Sequence, residues 1–133
     1  MPLEWDQLMM TTRLPEIDDE HKEWIRRFNE FDQAVTQGKG IEAVTDTLKF
    51  LSEYAEAHFK HEEAVAAEHN SPVAELNHIN HDQYRVQLHE INRWVQQGGV
   101  SNFEVVAIKQ DMEQWLINHI CKIDTQILPP ASE

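Results

Sequence analysis

The hexapeptide HFKHEE, residues 58–63, places a histidine and a carboxylate four residues apart. Residues at this spacing lie on the same face of an α-helix, so His58 and Glu62 would point in one direction. A row of apolar residues at three- and four-residue spacing precedes the pair from Val44 onward, and Val65 continues it. This pattern is typical of an amphipathic helix that turns one face to a protein core. The hexapeptide therefore predicts a helix that carries imidazole and carboxylate groups into the interior.

Other polar residues occupy the same kind of position in three further segments. They are His21, Asn77 with His81, and the pair His119 and Asp124. Each lies on the apolar face of its own helical segment, which histidines scattered over a surface would not do. The pattern predicts a metal site in the middle of a helical bundle.

The helix boundaries follow from capping and turn residues. Asp18 is a favourable N-cap, glycines end two of the segments, and Ser101 with Glu104 forms a capping box. Short turns between four amphipathic helices predict an all-α fold, an up-down-up-down four-helix bundle. The predicted helices run from Asp18 to Gly38, from Ile41 to His69-Asn70, from Ser71-Pro72 to Gly98-Gly99, and from Ser101 to Pro129-Pro130.

A single domain is expected over residues 1–133, since the length suits one core. Within it, residues 1–17 are predicted to form an extended arm that is anchored on the bundle by Trp5 and Leu8. Residues 18–127 form the bundle. Residues 128–133 are either the end of a free-standing protein or a linker to a further domain, and both interpretations remain open.

Composition excludes several classes of function. The formal charge is −13, from 11 basic and 24 acidic side chains. Neither nucleic acid nor an anionic membrane is an expected partner, because both require clustered Lys and Arg. No apolar run approaches the about 20 residues of a spanning helix, and the N-terminus lacks the basic-then-apolar layout of a signal peptide. With the single Cys121 unable to form an internal disulfide, a cytoplasmic protein is expected.

The predicted cluster needs a cation for electrostatic reasons. Burying so many titratable groups without one would cost several kcal/mol, at the roughly 2–7 kcal/mol typical of an uncompensated polar group. Imidazoles and carboxylates together suit Fe, Mn or Zn. Six ligands are too many for one tetrahedral ion, so two metals bridged by Glu62 and Asp124 use the set better. The alternative, that these are ordinary core or surface polar residues, suits any one histidine but not the whole set.

Several motifs, in their order along the chain, resemble the bacterial hemerythrins. They are Trp5-Asp6, IDDEHK at residues 17–22, HFKHEE at residues 58–63, and WLINHI at residues 115–120 followed by Asp124. The resemblance extends from Trp5 to about Ile127. It implies a non-haem di-iron site with an oxo or hydroxo bridge, in which five histidines and two bridging carboxylates hold the irons. One iron keeps an open position where O2 binds.

The resemblance also implies a role for each matching residue. One iron would take His21 and His58, the other would take His81 and His119, and Glu62 and Asp124 would bridge them, while Trp115, Leu116 and Ile120 would line an apolar pocket for the gas. The step from His119 to Asp124 turns about 500° on a straight helix, which is awkward for two ligands of one site. A bulged turn is expected to correct it.

The third helix departs from the family pattern. The resemblance implies two histidines four residues apart, but the first of these positions is Asn77, and His78 is its neighbour. Either Asn77 faces inward and leaves an open or weakly held metal position, or a local overwinding turns His78 inward as a substitute ligand. The apolar row at 81, 84, 88, 91 and 95 predicts 77 when it is extended backward, so the first alternative is favoured.

Three functions are compatible with these residues. The first is a di-iron domain that binds O2 or another diatomic ligand, or that senses oxygen or redox state, as the input domain of a larger signalling protein with an output domain after Pro129-Pro130. The second is a di-iron oxidase or peroxide-decomposing enzyme that uses the position at Asn77. The third is an interaction bundle that binds zinc adventitiously. A binding protein is favoured, and no residue is assigned a catalytic role.

Overall fold

The structure is a computed structural model that describes residues 2–99 and 103–129. Four long helices dominate it, and a short helix precedes them. A single 3-10 helix, Asp124–Gln126, follows the last long helix. The α-helices are α1 (Gln7–Met10), α2 (Pro15–Thr36), α3 (Ile41–Glu68), α4 (Ala74–Gly98) and α5 (Phe103–Lys122).

The long helices form an up-down-up-down bundle. Each packs mainly on its neighbours in sequence, α2 on α3, α3 on α4 and α4 on α5, while α2 also contacts α5 and closes the bundle. The predicted all-α four-helix bundle is confirmed. Because the helices alternate in direction, the starts of α2 and α4 lie at the same end as the finishes of α3 and α5. We call this end the site end, and the opposite end the far end.

The N-terminal arm differs from the prediction at Leu8. This side chain is 92% exposed, so it does not anchor the arm. The arm is interrupted by α1, whose N-cap Asp6 accepts hydrogen bonds from the backbone amides of Leu8 and Met9. This short helical turn points Leu8 outward and buries Met10, which is only 6% exposed, against the core. Trp5 is partly buried against the same core, as predicted.

The first long helix begins earlier than predicted. It starts at Pro15, a residue whose fixed φ and missing N–H suit the first helical position, so Asp18 is not the N-cap. The buried Asp18 carboxylate instead accepts hydrogen bonds from the Thr12 amide at 2.8 Å, the Thr12 hydroxyl at 2.8 Å and the Thr11 hydroxyl at 2.7 Å. Asp18 therefore holds the arm against α2.

The third long helix begins later than predicted. Ser71 and Pro72 lie in a turn, in which the Ser71 hydroxyl accepts from the Val73 amide at 3.3 Å, and the helix starts at Ala74. The predicted capping residue Ser101 lies outside the described residues, and the last helix ends at Lys122 rather than at Pro129-Pro130, because the chain continues as the 3-10 helix. In residues 2–99 and 103–129, none of the helices is both long and apolar enough to cross a membrane.

Candidate metal centre

All four long helices bring polar side chains into the core at the site end. The six predicted ligands are brought together there, and each is at most 2% exposed. They come from α2, α3, α4, α5 and the 3-10 helix: His21, His58, Glu62, His81, His119 and Asp124.

Glu62 lies at the centre of the cluster, and each of its oxygens faces a different pair of imidazoles. Its Oε2 is 2.9 Å from Nε2 of His21 and 3.1 Å from Nε2 of His58. Its Oε1 is 3.0 Å from Nε2 of His81 and 3.8 Å from Nε2 of His119. One carboxylate thus divides four imidazoles into two pairs.

Asp124 repeats this division from the other side. Its Oδ2 is 3.0 Å from Nε2 of His21, and its Oδ1 is 3.1 Å from Nε2 of His119. Asp124 reaches the cluster because α5 ends at Lys122 and the chain continues as a 3-10 helix. The change in winding after His119 is therefore a helix end rather than the bulge that the sequence predicted.

The two carboxylates define two half-sites. In each half-site, one ligand atom from every residue lies within 4.8 Å of the others. We call His21, His58 and one oxygen of each carboxylate the first half-site. His81, His119 and the other oxygens form the second half-site, so Glu62 and Asp124 belong to both.

Buried atoms without hydrogen-bond partners show that this donor set suits cations. Nε2 of His58, Nε2 of His119 and both oxygens of Asp124 are buried and make no hydrogen bond, although neighbouring polar atoms lie about 3 Å away. Buried polar groups are rarely left in this state. Imidazole nitrogens and carboxylate oxygens, without a thiolate, are ligands that suit Fe, Mn and Zn. The residues fit two cations that share the two carboxylates.

The pKa values describe the cluster without a cation. Burial alone would lower the pKa of His21, but the Asp124 and Glu62 carboxylates raise it to about 10. The same two carboxylates overcome burial at His119 and raise its pKa to about 9. The neighbouring imidazoles, with His58 contributing most, hold the pKa of Glu62 well below its usual range despite burial. Protons on His21 and His119 therefore balance the carboxylates until a cation replaces them.

Two further carboxylates orient one imidazole in each half-site. Glu20 accepts a hydrogen bond from Nδ1 of His58 at 2.7 Å, and Glu63 accepts one from Nδ1 of His81 at 3.0 Å. A proton held on Nδ1 leaves Nε2 free to face the cluster, which is the usual role of carboxylates behind metal-binding histidines. Sequence analysis identifies Glu63 only as a residue that either faces solvent or caps an imidazole, and it does not identify Glu20 as a partner of a ligand; each of the two adjoins a predicted ligand.

Asn77 and His78 point in different directions from α4. Asn77 is fully buried, and its Nδ2 donates to Glu62 Oε1 at 3.0 Å, while its Oδ1 has no hydrogen-bond partner. The His78 side chain is 55% exposed, and its Nδ1 contacts Glu63 outside the cluster. The structure therefore places Asn77, not His78, beside the second half-site.

Aromatic and aliphatic side chains surround the imidazoles. Of the predicted pocket residues, Trp115 is partly buried and stacks on His119 with 4.5 Å between ring centroids, and Leu116 and Ile120 are fully buried. Phe59, which sequence analysis did not single out, stacks on His81 at 4.0 Å. These contacts hold two rings of the second half-site between apolar groups.

An apolar cluster lies one turn further toward the site end. Ile17, Val65, Ala66 and Ile127 are buried together, with Leu14, Ala74 and Leu128 packed around them. All four of these buried residues follow or precede a ligand by three or four residues, so they cover the polar cluster along the bundle axis. The carboxylates and imidazoles are thereby enclosed in an apolar shell.

Comparison with known proteins agrees with this arrangement. A family profile described as "Hemerythrin HHE cation binding domain" matches residues 12–131. Two solved structures share the fold with a TM-score of 0.81 and 21% identity over 94% of both chains: crystal structures of a mutant with a leucine replaced by phenylalanine, and hemerythrin with a leucine replaced by tyrosine. At this identity, the likeness to these structures shows the fold alone. None of the curated proteins matches.

Proposed function

Because this chain belongs to the hemerythrin family, we propose that it is a non-haem di-iron domain that binds O2, or that senses oxygen or the redox state of its surroundings. The observation that supports this proposal is the division of four buried imidazoles into two pairs by the two oxygens of each shared carboxylate. Such a set offers two adjacent cation positions. Two adjacent metal ions are needed if each is to give one electron to the same O2 molecule.

Each part of the chain has a role in this proposal. His21 and His58 would hold one iron and His81 and His119 the other, with Glu62 and Asp124 shared. Two irons bound in this way would supply the electrons that O2 takes up. Trp115, Leu116 and Ile120 would exclude water from the gas, while Glu20 and Glu63 keep His58 and His81 oriented through their Nδ1 protons.

The proposal is tested by iron loading and exposure to O2. We expect two irons per chain that remain bound through gel filtration, and an absorption of the di-iron centre that appears when O2 reaches the reduced protein. Disappearance of that absorption on removal of O2 would indicate reversible binding, and persistence until reductant is added would indicate redox sensing. Fewer than two irons, or iron lost during gel filtration, would contradict the proposal and favour an interaction bundle.

A matched pair of variants on the last part of the chain sharpens this test. Asp124→Asn removes a shared charge from the cluster and is expected to reduce the iron content below two per chain. Asp111→Asn makes the same change at an exposed position of α5 and should leave the iron content unchanged. An equal iron content in both variants would mean that Asp124 is not a ligand.

Asn77 favours a second candidate function, the decomposition of peroxide. A neutral amide stands where the family resemblance implies an imidazole, and its Oδ1 is unpartnered, so the second half-site has one strong ligand fewer than the family pattern implies. Turnover of hydrogen peroxide well above that of free iron would support this function, and absence of turnover would count against it.

A cytoplasmic location and an output domain after Pro129-Pro130 remain predictions. Only a sensing role needs the output domain.

A further inference from the structure

We propose that the second half-site has an exchangeable position beside Asn77 that binds a small inorganic anion such as azide, so that the iron-loaded domain takes two anions rather than one. This inference rests on the proposed function, since it requires an iron in each half-site. It concerns a ligand position beside Asn77, a residue that departs from the pattern the family resemblance implies.

The first step in the argument is the equal composition of the two half-sites. His21 and His58 supply the imidazoles of the first half-site, and His81 and His119 supply those of the second. Both half-sites share the same two carboxylates. The family resemblance implies a third imidazole in one of them, but here the donors are the same on both sides. An open position in the first half-site is therefore expected to have a counterpart in the second.

The second step is the placement of Asn77. Its Nδ2 lies 3.0 Å from Glu62 Oε1, the same oxygen that lies 3.0 Å from Nε2 of His81. The side chain thus occupies the place of a ligand, one turn from His81 on the same face of α4. Its Oδ1 is buried without a partner, which is an unfavourable state for a polar group. An amide oxygen is also a weaker ligand for iron than an imidazole.

The third step is that no other side chain takes this place. His78, the neighbour that could have substituted, is 55% exposed and is bound to Glu63. Phe59 is stacked on His81 and contributes no ligand atom. Among residues 2–99 and 103–129, the groups able to hold a metal beside Glu62 and Asp124 are the imidazoles already assigned to the two half-sites.

The fourth step is the chemical class of the ligand. Asn77, His81 and Glu62 are all fully buried, so a ligand at this position can have no more than a few atoms. Two irons carry more positive charge than the Glu62 and Asp124 carboxylates neutralise, which favours an anion. The Asn77 amide also offers N–H donors, and a hydrogen bond to a charged acceptor is stronger than one to a neutral acceptor.

The test counts azide on protein that is loaded with two ferric irons. Equilibrium dialysis gives the number of bound azide ions, and infrared spectra of the azide stretch distinguish one environment from two. We expect two bound azide ions in the unmodified protein and one in Asn77→His, in which an imidazole fills the position. Asn80→His introduces the same residue at a partly exposed position one turn along α4, and is expected to keep two.

The outcomes separate this inference from the proposed function. Iron is measured first, and fewer than two irons per chain would contradict the proposed function itself. Two irons with one bound azide in the unmodified protein would overturn only the inference, as would two azide ions in Asn77→His. If Asn77→His does not fold or loses iron, Asn77→Asp places a carboxylate at the same position and is expected to bind one azide.

Discussion

The two ends of the bundle differ in how their buried polar groups are satisfied. At the far end the core is apolar, and a partly buried ion pair joins Lys109 of α5 to Asp32 of α2. At the site end two carboxylates and four imidazoles are enclosed, and several of their atoms have no hydrogen-bond partner. The apolar residues that fill the far end include Phe31, Val35, Val44, Leu48, Val95 and Val105.

This difference separates the source of stability from the source of function. Close packing and an ion pair stabilise the far end without the help of a bound metal. The site end contains groups whose burial is unfavourable until a cation or protons compensate them. A protein can keep such a site when the rest of its core supplies enough stability. We therefore expect the stability of the far end to be independent of metal, and that of the site end to depend on it.

The largest effect is expected from a cavity at the far end. Phe31→Ala removes a fully buried ring and should lower the free energy of unfolding by about 3–5 kcal/mol, whether or not iron is bound. Chemical denaturation of both forms measures this. Iron content should remain that of the unmodified protein, and a variant that folds but loses iron would show that the two ends are not independent.

A similar effect is expected at the site end, but only in the presence of metal. A ligand present at 1,000 times its Kd stabilises a folded protein by about 4 kcal/mol. Glu62→Gln should abolish most of that gain, because Glu62 contacts imidazoles of both half-sites. Glu53→Gln, at an exposed position of α3, should retain it. Equal metal-dependent shifts in Tm for the two variants would contradict the assignment of Glu62.

A smaller effect is expected from the far-end ion pair. Asp32→Ala leaves the buried Lys109 ammonium without its partner and should cost about 2 kcal/mol. Replacing both residues, with Lys109→Met added to Asp32→Ala, should recover most of this loss because the remaining side chain is apolar. Denaturation of the single and double variants measures the difference. Failure of the second substitution to recover stability would show that the ion pair is not the cause.

The carboxylates behind the imidazoles are expected to act on metal affinity alone. Glu63→Ala removes the acceptor of the His81 Nδ1 hydrogen bond and should weaken metal binding about 10- to 100-fold. Glu68→Ala, at the exposed end of α3, is the matched control. Competition with a chelator gives the affinities. The Tm of the metal-free protein should not change. An unchanged metal affinity in Glu63→Ala would argue against an orienting role.

The smallest effect for each unit of change is expected from pH. A rise in pH should lower the stability of the metal-free protein and raise the affinity for metal. The pKa of His21 is raised from 6.5 to about 10 in the metal-free protein, so its contribution to stability is complete below pH 6.5 and is lost as the pH rises toward 10. Metal must displace such protons, so its affinity should rise up to about tenfold per pH unit for each one. A metal affinity independent of pH between 6 and 8 would contradict this.

Much of the fold could be predicted because helical periodicity is a local property. The four-helix bundle is confirmed, α3 begins at Ile41 as predicted, and the resemblance to hemerythrins is supported by the family match. The errors occur in the N-terminal arm, where hydrogen bonds between residues a few positions apart leave no helical periodicity in the sequence. Asp18 was predicted as an N-cap, but its carboxylate is bound by Thr11 and Thr12, and Leu8 is turned outward by the cap of α1.

The sequence by itself determined which helix faces turn inward, since the spacing of apolar residues decides this without knowledge of neighbours. It thereby brought the six predicted ligands to one core. Only the tertiary structure decided that the two carboxylates divide the imidazoles into pairs, that Glu20 and Glu63 lie behind His58 and His81, and that the Asn77 amide donates to Glu62. These features depend on distances between atoms of different helices, which no periodicity along one helix contains.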